Sequence, residues 1–161
     1  GKGQDRTRRH ASPAKKEAIW VRNPWATRPW QHVLEPIGGY MLLGARLLED
    51  KNDDKLCSAF NFGPMVSSNK IVKVLVEEIL KNWGEGTWDH EIKEAVHEAS
   101  LLHLTIDKAY HLLNWQPVWQ FEKTIQKTVE WYKSNFEAPE ETEKMTSSQI
   151  EEYMKAFVFK Q

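Results

Sequence analysis

Along this chain apolar side chains recur at helical spacing in a few long stretches and cluster over short ones between them. Residues 1–18, GKGQDRTRRHASPAKKEA, fit neither pattern, since their only aliphatics are Ala11, Ala14 and Ala18. Such a segment buries too little surface to offset its ordering entropy, and a disordered basic tail is expected. The pattern changes at AIWVRN (18–23), a short β-rich run closed by Asn23-Pro24. Pro36 can then start a helix in its first turn, and IGGYMLLGARLLED carries Tyr40, Leu43, Leu47 and Leu48 at helical spacing. Gly38 and Gly39 weaken that helix intrinsically, which predicts close packing against its first turn. The polar NDD at 52–54 ends it, and CSAFNFGP (57–64) reads as a buried strand running into a turn.

A second helix is predicted over 69–83. It is apolar almost all round, with Lys73, Glu77 and Lys81 as its polar stripe, so cover on most sides is expected. WGEG stops it, and TWDHEI and LLHLTI follow as β candidates. Asp107 is expected to cap a short helix, KAYHLL, with Asn114 in the left-handed position at its end. After the turn Trp115-Gln116-Pro117, a helix over 120–136 places Phe121, Ile125, Thr128, Val129, Tyr132 and Phe136 on one face. The acidic segment 137–145 reads as a linker. A last helix over 146–161 opens on a capping-box pattern, Thr146 with Gln149 three residues on. The order of strands and helices implies a mixed α/β chain.

Composition narrows the function. With 161 residues, 40% hydrophobic and 28% charged, the chain suits a soluble globular domain. A net charge of -1 argues against general nucleic-acid binding, which needs a basic surplus. No apolar run approaches the roughly 18 residues of a membrane span, no signal-peptide core is visible, and the single Cys57 fits a reducing compartment; a cytoplasmic location is expected. The eight tryptophans predict packed indoles, with an exposed sugar-binding set as the competing reading. His90, His97 and His103 lack the paired spacing of zinc ligands, so no metal site is expected. No G-x-G-x-x-G turn or G-x-S-x-G elbow is present, and no tyrosine is followed four residues later by lysine.

The stretch ATRPWQHVLEP (26–36) is the most unusual. Pro29 pushes Arg28 toward extended backbone, so the guanidinium hangs from a stiff piece of chain. Two readings stand open: an anion reader whose planar fork holds two phosphate or carboxylate oxygens, and a salt-bridged surface arginine.

Six stretches in order, RNPWATRPWQHVLEPIGGYMLL, NFGP, WGEG, HEASLLHL, DKAYHLLNWQPVW and TVEWYK, resemble the carboxyl-terminal half of the CDP-glucose 4,6-dehydratases, members of the extended short-chain dehydrogenase/reductases. The resemblance covers residues 19 to about 135, and MTSSQIEEY more weakly. It implies an α/β fold, the carboxyl-terminal part of a Rossmann-type protein with a small mixed α/β substrate-binding domain spanning 19–136. It further implies a homo-oligomeric lyase of nucleotide-sugar metabolism, in lipopolysaccharide O-antigen biosynthesis, that uses NAD to oxidise the sugar at C4, eliminate water across C5 and C6 and return the hydride. Arg28 would meet the pyrophosphate of CDP-glucose, Asn61 would lie near the nucleotide, and His97 with Glu98 would sit in the segment closing over it. The NAD fingerprint and the Tyr-x-x-x-Lys pair lie in the family's other half, so no catalytic or cofactor-binding residue is expected in this chain, and a separate cofactor-binding chain is an implied partner. Where these proteins usually carry proline before the His-Glu pair, Leu-Asp, Gln-Pro-Arg-Trp and a glycine, this chain has Val96, Leu104-Thr105, Gln116-Pro117-Val118-Trp119 and Asn114. A non-catalytic module binding a nucleotide sugar or a protein is the alternative function.

Overall fold

The computed structural model describes residues 18–49, 54–90 and 102–158. The expected mobile tail, the expected helix stop at 52–53, and His97 with Glu98 lie outside the described residues. Two small sheets and five helices make up the described fold, a mixed α/β arrangement as the order of elements implied. Strand β1 (Ile19–Val21) pairs in parallel with β4 (Trp88–His90), while β2 (Thr27–Pro29) pairs antiparallel with β3 (Asn69–Ile71). The helices are α1 (Leu34–Glu49), α2 (Val72–Trp83), α3 (Asp107–Leu113), α4 (Phe121–Glu137) and α5 (Thr142–Val158).

Helix α2 starts directly from β3, three residues later than its apolar pattern suggests. Residues 69–71 are drawn into strand by pairing with β2, an energy that local periodicity cannot register. The first free N–H groups of α2, on Val72 and Lys73, donate to the carbonyls of Ala26 and Pro24, so this helix needs no side-chain cap. WGEG stops the helix as expected, and Gly84, with φ of 100°, closes it in the left-handed conformation. Val74, Leu75, Ile79 and Trp83 of α2 pack with Trp30 on the buried Phe121, Ile125 and Val129 of α4. Only Glu77 and Lys81 of α2 are exposed, both in its polar stripe, so the helix is covered on most sides as expected.

Segment 57–64 is not a strand. Side chains take two of its carbonyls: Gln31 Nε2 donates to the Phe62 carbonyl at 3.0 Å, and Lys108 Nζ donates to the Ala59 carbonyl at 3.0 Å and also to the Ser58 hydroxyl at 2.6 Å. Segment 102–106 likewise forms no strand. Asp107 lies inside the first turn of α3 and makes no cap hydrogen bond, whereas Asn114 takes the left-handed position at φ of 53°.

The acidic stretch 137–145 runs from the end of α4 through the 3-10 turn Pro139–Glu141 into α5. Thr146 therefore falls inside α5, where its hydroxyl bonds back to the Thr142 carbonyl, and the expected capping box does not form. Gln149 is buried and donates to the Lys127 carbonyl of α4. Trp115 and Trp119 are buried while Trp20 and Trp25 are exposed, so the indoles divide between core and surface. One side of α1 carries the exposed Ile37, Tyr40, Met41 and Leu48, with Val33 in line just before it. No helix among the described residues is long and apolar enough to cross a membrane.

Candidate functional site

The RPWQHVLEP stretch works as a joint between β2, the NFGP segment and the helices. Arg28 sits in extended backbone, as the following proline predicts, directly opposite Lys70 in the β2–β3 register. Its Nη1 donates to the Thr27 carbonyl at 2.8 Å, which folds part of the guanidinium against its own strand. The Trp30 indole N–H donates to the Lys70 carbonyl at 2.9 Å and Gln31 reaches the Phe62 carbonyl. Both bonds fix the backbone around Arg28 and Lys70. Among the described residues, Gln31 Oε1 and Asn69 Oδ1 are buried without a hydrogen-bond partner.

His32 is buried edge-on against the Trp119 ring, with 4.8 Å between ring centroids, and its Nδ1 accepts the Leu34 N–H. Burial, with the Lys127 charge adding to it, lowers its pKa to about 4, so it is the neutral imidazole at pH 7. Glu35 is fully buried. Its carboxylate accepts the N–H of Val118 at 3.0 Å, the N–H of Trp119 at 2.6 Å and the hydroxyl of Tyr153 at 3.1 Å. Burial first, and then the adjacent Glu35 charge, raise the Tyr153 pKa, so the phenol keeps its proton and donates. His32 is not poised to exchange a proton near neutrality, and the Glu35 oxygens are taken up by three donors. Their work is to hold the first turn of α1 against the 118–119 turn and α5.

Next to this joint lies a cleft of about 520 Å³, bounded by Met65, Val66, His103, Thr105, Tyr110 and Gln116. Its wall alternates apolar surface with hydrogen-bonding groups, and the half-exposed Tyr110 offers a ring face, the mixture that suits a flat heterocycle with polar edges. Asn61 is exposed and its Nδ2 donates to the Thr105 carbonyl at 3.4 Å, tying NFGP to the cleft wall. The 3-10 turn Val66–Ser68 joins that wall to β3 and hence to Lys70 opposite Arg28. Arg28 is thus connected to the cleft through the chain but is not among its lining residues. A second cleft, of about 630 Å³, lies between α1, α4 and α5 and includes His32, Val33, Ile37, Trp131, Tyr132 and Ile150.

Sequence reasoning singled out Arg28 and Asn61 but missed Lys70, Glu35, Tyr153 and Tyr110. Lys70 becomes visible only through strand register, and Glu35 and Tyr153 lie 118 residues apart in the chain. A glutamate in the first turn of a helix ordinarily reads as an exposed partner of the helix dipole. His90 stands on β4 and His103 lines the cleft. Among the described residues no group of His, Cys, Asp and Glu could hold a metal ion.

No protein-family model matches the chain. The chain is 35% identical over 119 residues to a protein of Salmonella typhimurium named CDP-glucose 4,6-dehydratase, an alignment covering 73% of this chain and 33% of that protein. The resemblance carried by the six motifs is therefore present as an extended similarity: most of this chain is similar to a CDP-glucose 4,6-dehydratase, of which it spans about a third of the length.

Proposed function

We propose that this chain is the substrate-binding portion of a CDP-glucose 4,6-dehydratase, a carboxyl-terminal part of a Rossmann-type short-chain dehydrogenase/reductase. It would hold the diphosphate of CDP-glucose on Arg28 and the nucleoside end against the cleft beside Asn61. The similarity to the Salmonella protein supports the substrate class. The observation that carries the role of Arg28 is its place on a short ladder braced by Trp30 and Gln31, where the side chain costs little to order on an anion. A planar fork on a stiff strand suits two oxygens of a diphosphate.

The sequence supports leaving NAD to another portion of the protein, since it carries no G-x-G-x-x-G turn. A dinucleotide is ordinarily held at a glycine-rich turn between strand and helix, but β3 passes from Ile71 straight into Val72 of α2 with no turn between them. No step of the dehydration is therefore assigned to this chain, whose part is to bind and orient the nucleotide sugar. A protein portion carrying the glycine turn and the Tyr-x-x-x-Lys pair would supply the redox chemistry.

Arg28→Ala is expected to weaken CDP-glucose binding about ten-fold, the loss of a charge-assisted bidentate contact, with little change in melting temperature. Calorimetric titration with CDP and CDP-glucose beside a melting curve tests it. Unchanged affinity, or a large fall in melting temperature with affinity intact, would make Arg28 a structural residue and remove the main support for this reading.

A further inference from the structure

Helix α1 is apolar nearly all round. Its charged residues are Glu35, which is buried, and Arg46 with Glu49, which pair with each other at 3.2 Å near its end. A helix of this composition belongs in the interior of a protein, covered on every side. Among the described residues only one side is covered. Leu42, Leu43 and Leu47 pack on the core cluster around Phe62 and Trp115, whereas Ile37, Tyr40, Met41 and Leu48 are exposed, Met41 by 72% and Leu48 by 75%. These four positions, with Gly44 between them, form one stripe at helical spacing. The neighbours of Gly38 and Gly39 account for those two glycines, but nothing lies within 4 Å of the Cβ position of Gly44. A helix glycine costs propensity, and its use is to let another backbone come close. The stripe runs on through Tyr40, edge-on to Phe62 with 5.4 Å between ring centroids, to segment 57–64. That segment reads as a strand in sequence and pairs with no strand among the described residues.

We propose that the α1 stripe from Ile37 to Leu48 is the docking face for the cofactor-carrying portion of the dehydratase, with Gly44 as the point of closest backbone approach. The alignment with the Salmonella protein takes in a third of that protein, so two thirds of its length lies outside what this chain matches. An apolar face beside an unpaired strand sequence is the surface that a chain cut from so large a remainder exposes. A second copy of this chain is the competing occupant, and it would leave that remainder without a seat. The inference rests on the proposed function for the identity of the partner and goes beyond it in naming the surface. Docked there, the partner would border Phe62 and the NFGP segment, which Asn61 ties to the wall of the nucleotide cleft.

The test is coexpression of the tagged chain with a polypeptide comprising the part of the Salmonella protein outside the alignment, with that protein's own matching third as the positive control. Co-elution by size exclusion is read for wild type, Met41→Lys, Gly44→Gln and, away from the stripe on α4, Phe136→Lys, together with the melting temperature of each chain alone. Wild type and Phe136→Lys are expected to co-elute with the partner. Met41→Lys, which places a charge in an apolar contact, and Gly44→Gln, which fills the point of approach, are expected to lower the co-eluting fraction at least ten-fold while the isolated chains melt no lower than wild type. Association unchanged by both variants, or absent for wild type, overturns the docking face. A wild-type chain that instead forms a dimer dissolved by Met41→Lys also overturns it, in favour of the second copy. If the variants break the association while the assembled pair binds no CDP-glucose in a calorimetric titration, the face stands and the nucleotide-sugar reading falls. If the pair binds CDP-glucose and neither variant affects its assembly, that reading stands and the face falls.

Discussion

His32 shows how a side chain that suggests chemistry in the sequence becomes structural in the fold. A histidine two residues after a tryptophan, near an arginine, invites a catalytic or ligand-binding role. Its ring is instead spent on Trp119 and on accepting the Leu34 N–H, and burial holds its pKa near 4. The ordinary value of 6.5 applies to the unfolded chain. Between these two values the unfolded chain takes up a proton that the folded chain refuses, so the stability due to His32 is complete above about pH 6.5 and is lost as the pH falls toward 4. The loss amounts to roughly 2 to 3 kcal/mol across that window. Melting temperatures of wild type and His32→Leu over this range test the assignment. The variant is expected to show the shallower decline whatever its starting stability, and equal slopes would place the titrating group elsewhere. Arg28 was legible from the sequence for the opposite reason. Its backbone is dictated by Pro29, a local effect that needs no tertiary partner.

The elements divide along the same line. The long periodic helices α1, α2 and α4, the stop of α2 at WGEG, the left-handed end at Asn114, and the short strands β1 and β4 were readable because each rests on spacing or on one special residue. The strand expected at 57–64 failed because Gln31 and Lys108 satisfy that backbone from far along the chain, a substitution invisible to any local window. The capping box at Thr146 failed because the acidic residues before it continue the helix instead of ending one. Gly38 and Gly39 succeeded. Glycines that cost helix propensity implied a close neighbour, and the structure supplies two: a Cβ on Gly39 would enter the Phe62 ring, and one on Gly38 would stand 2.8 Å from Tyr153 Oη. Gly39→Ala is therefore expected to destabilise the protein by about 1 to 3 kcal/mol despite the better helix propensity of alanine. Gly44→Ala is the control, since nothing lies within 4 Å of its Cβ position, and it should be neutral or stabilising. Denaturant titration of both variants decides it, and similar stability changes would mean that Phe62 does not pack against α1 as described.

The molecule as a whole is organised around Glu35. Two hydrophobic clusters, Leu56 with Phe62, Ala109, Leu113 and Trp115, and Val118 with Trp119 and Tyr153, share Phe157 at their edge. The α4 cluster joins α5 through Lys127, whose ammonium meets Glu130 at 3.0 Å and Glu152 at 2.7 Å. Burial alone would lower the Lys127 pKa, but hydrogen bonds to Glu152 and Glu130 outweigh it and raise the value, so this link is charged at any ordinary pH. At the centre one carboxylate takes donors from the 118–119 turn and from α5 while its own backbone starts α1. Glu35→Ala would remove the carboxylate that accepts from two backbone N–H groups and a buried phenol. The expected loss is about 3 to 5 kcal/mol, a large share of the stability of a domain this size. Tyr153→Phe removes one donor and leaves the carboxylate its backbone partners, so it should cost only about 1 to 2 kcal/mol. The informative measurement is native-state hydrogen exchange. If Glu35 is the common anchor, Glu35→Ala lowers the protection of amides in α1, α4 and α5 together and by similar free energies. Loss of protection confined to α5, with α1 and α4 unchanged, would show that the last helix is an appendage and that the β2–β3 ladder at Arg28 stands without it.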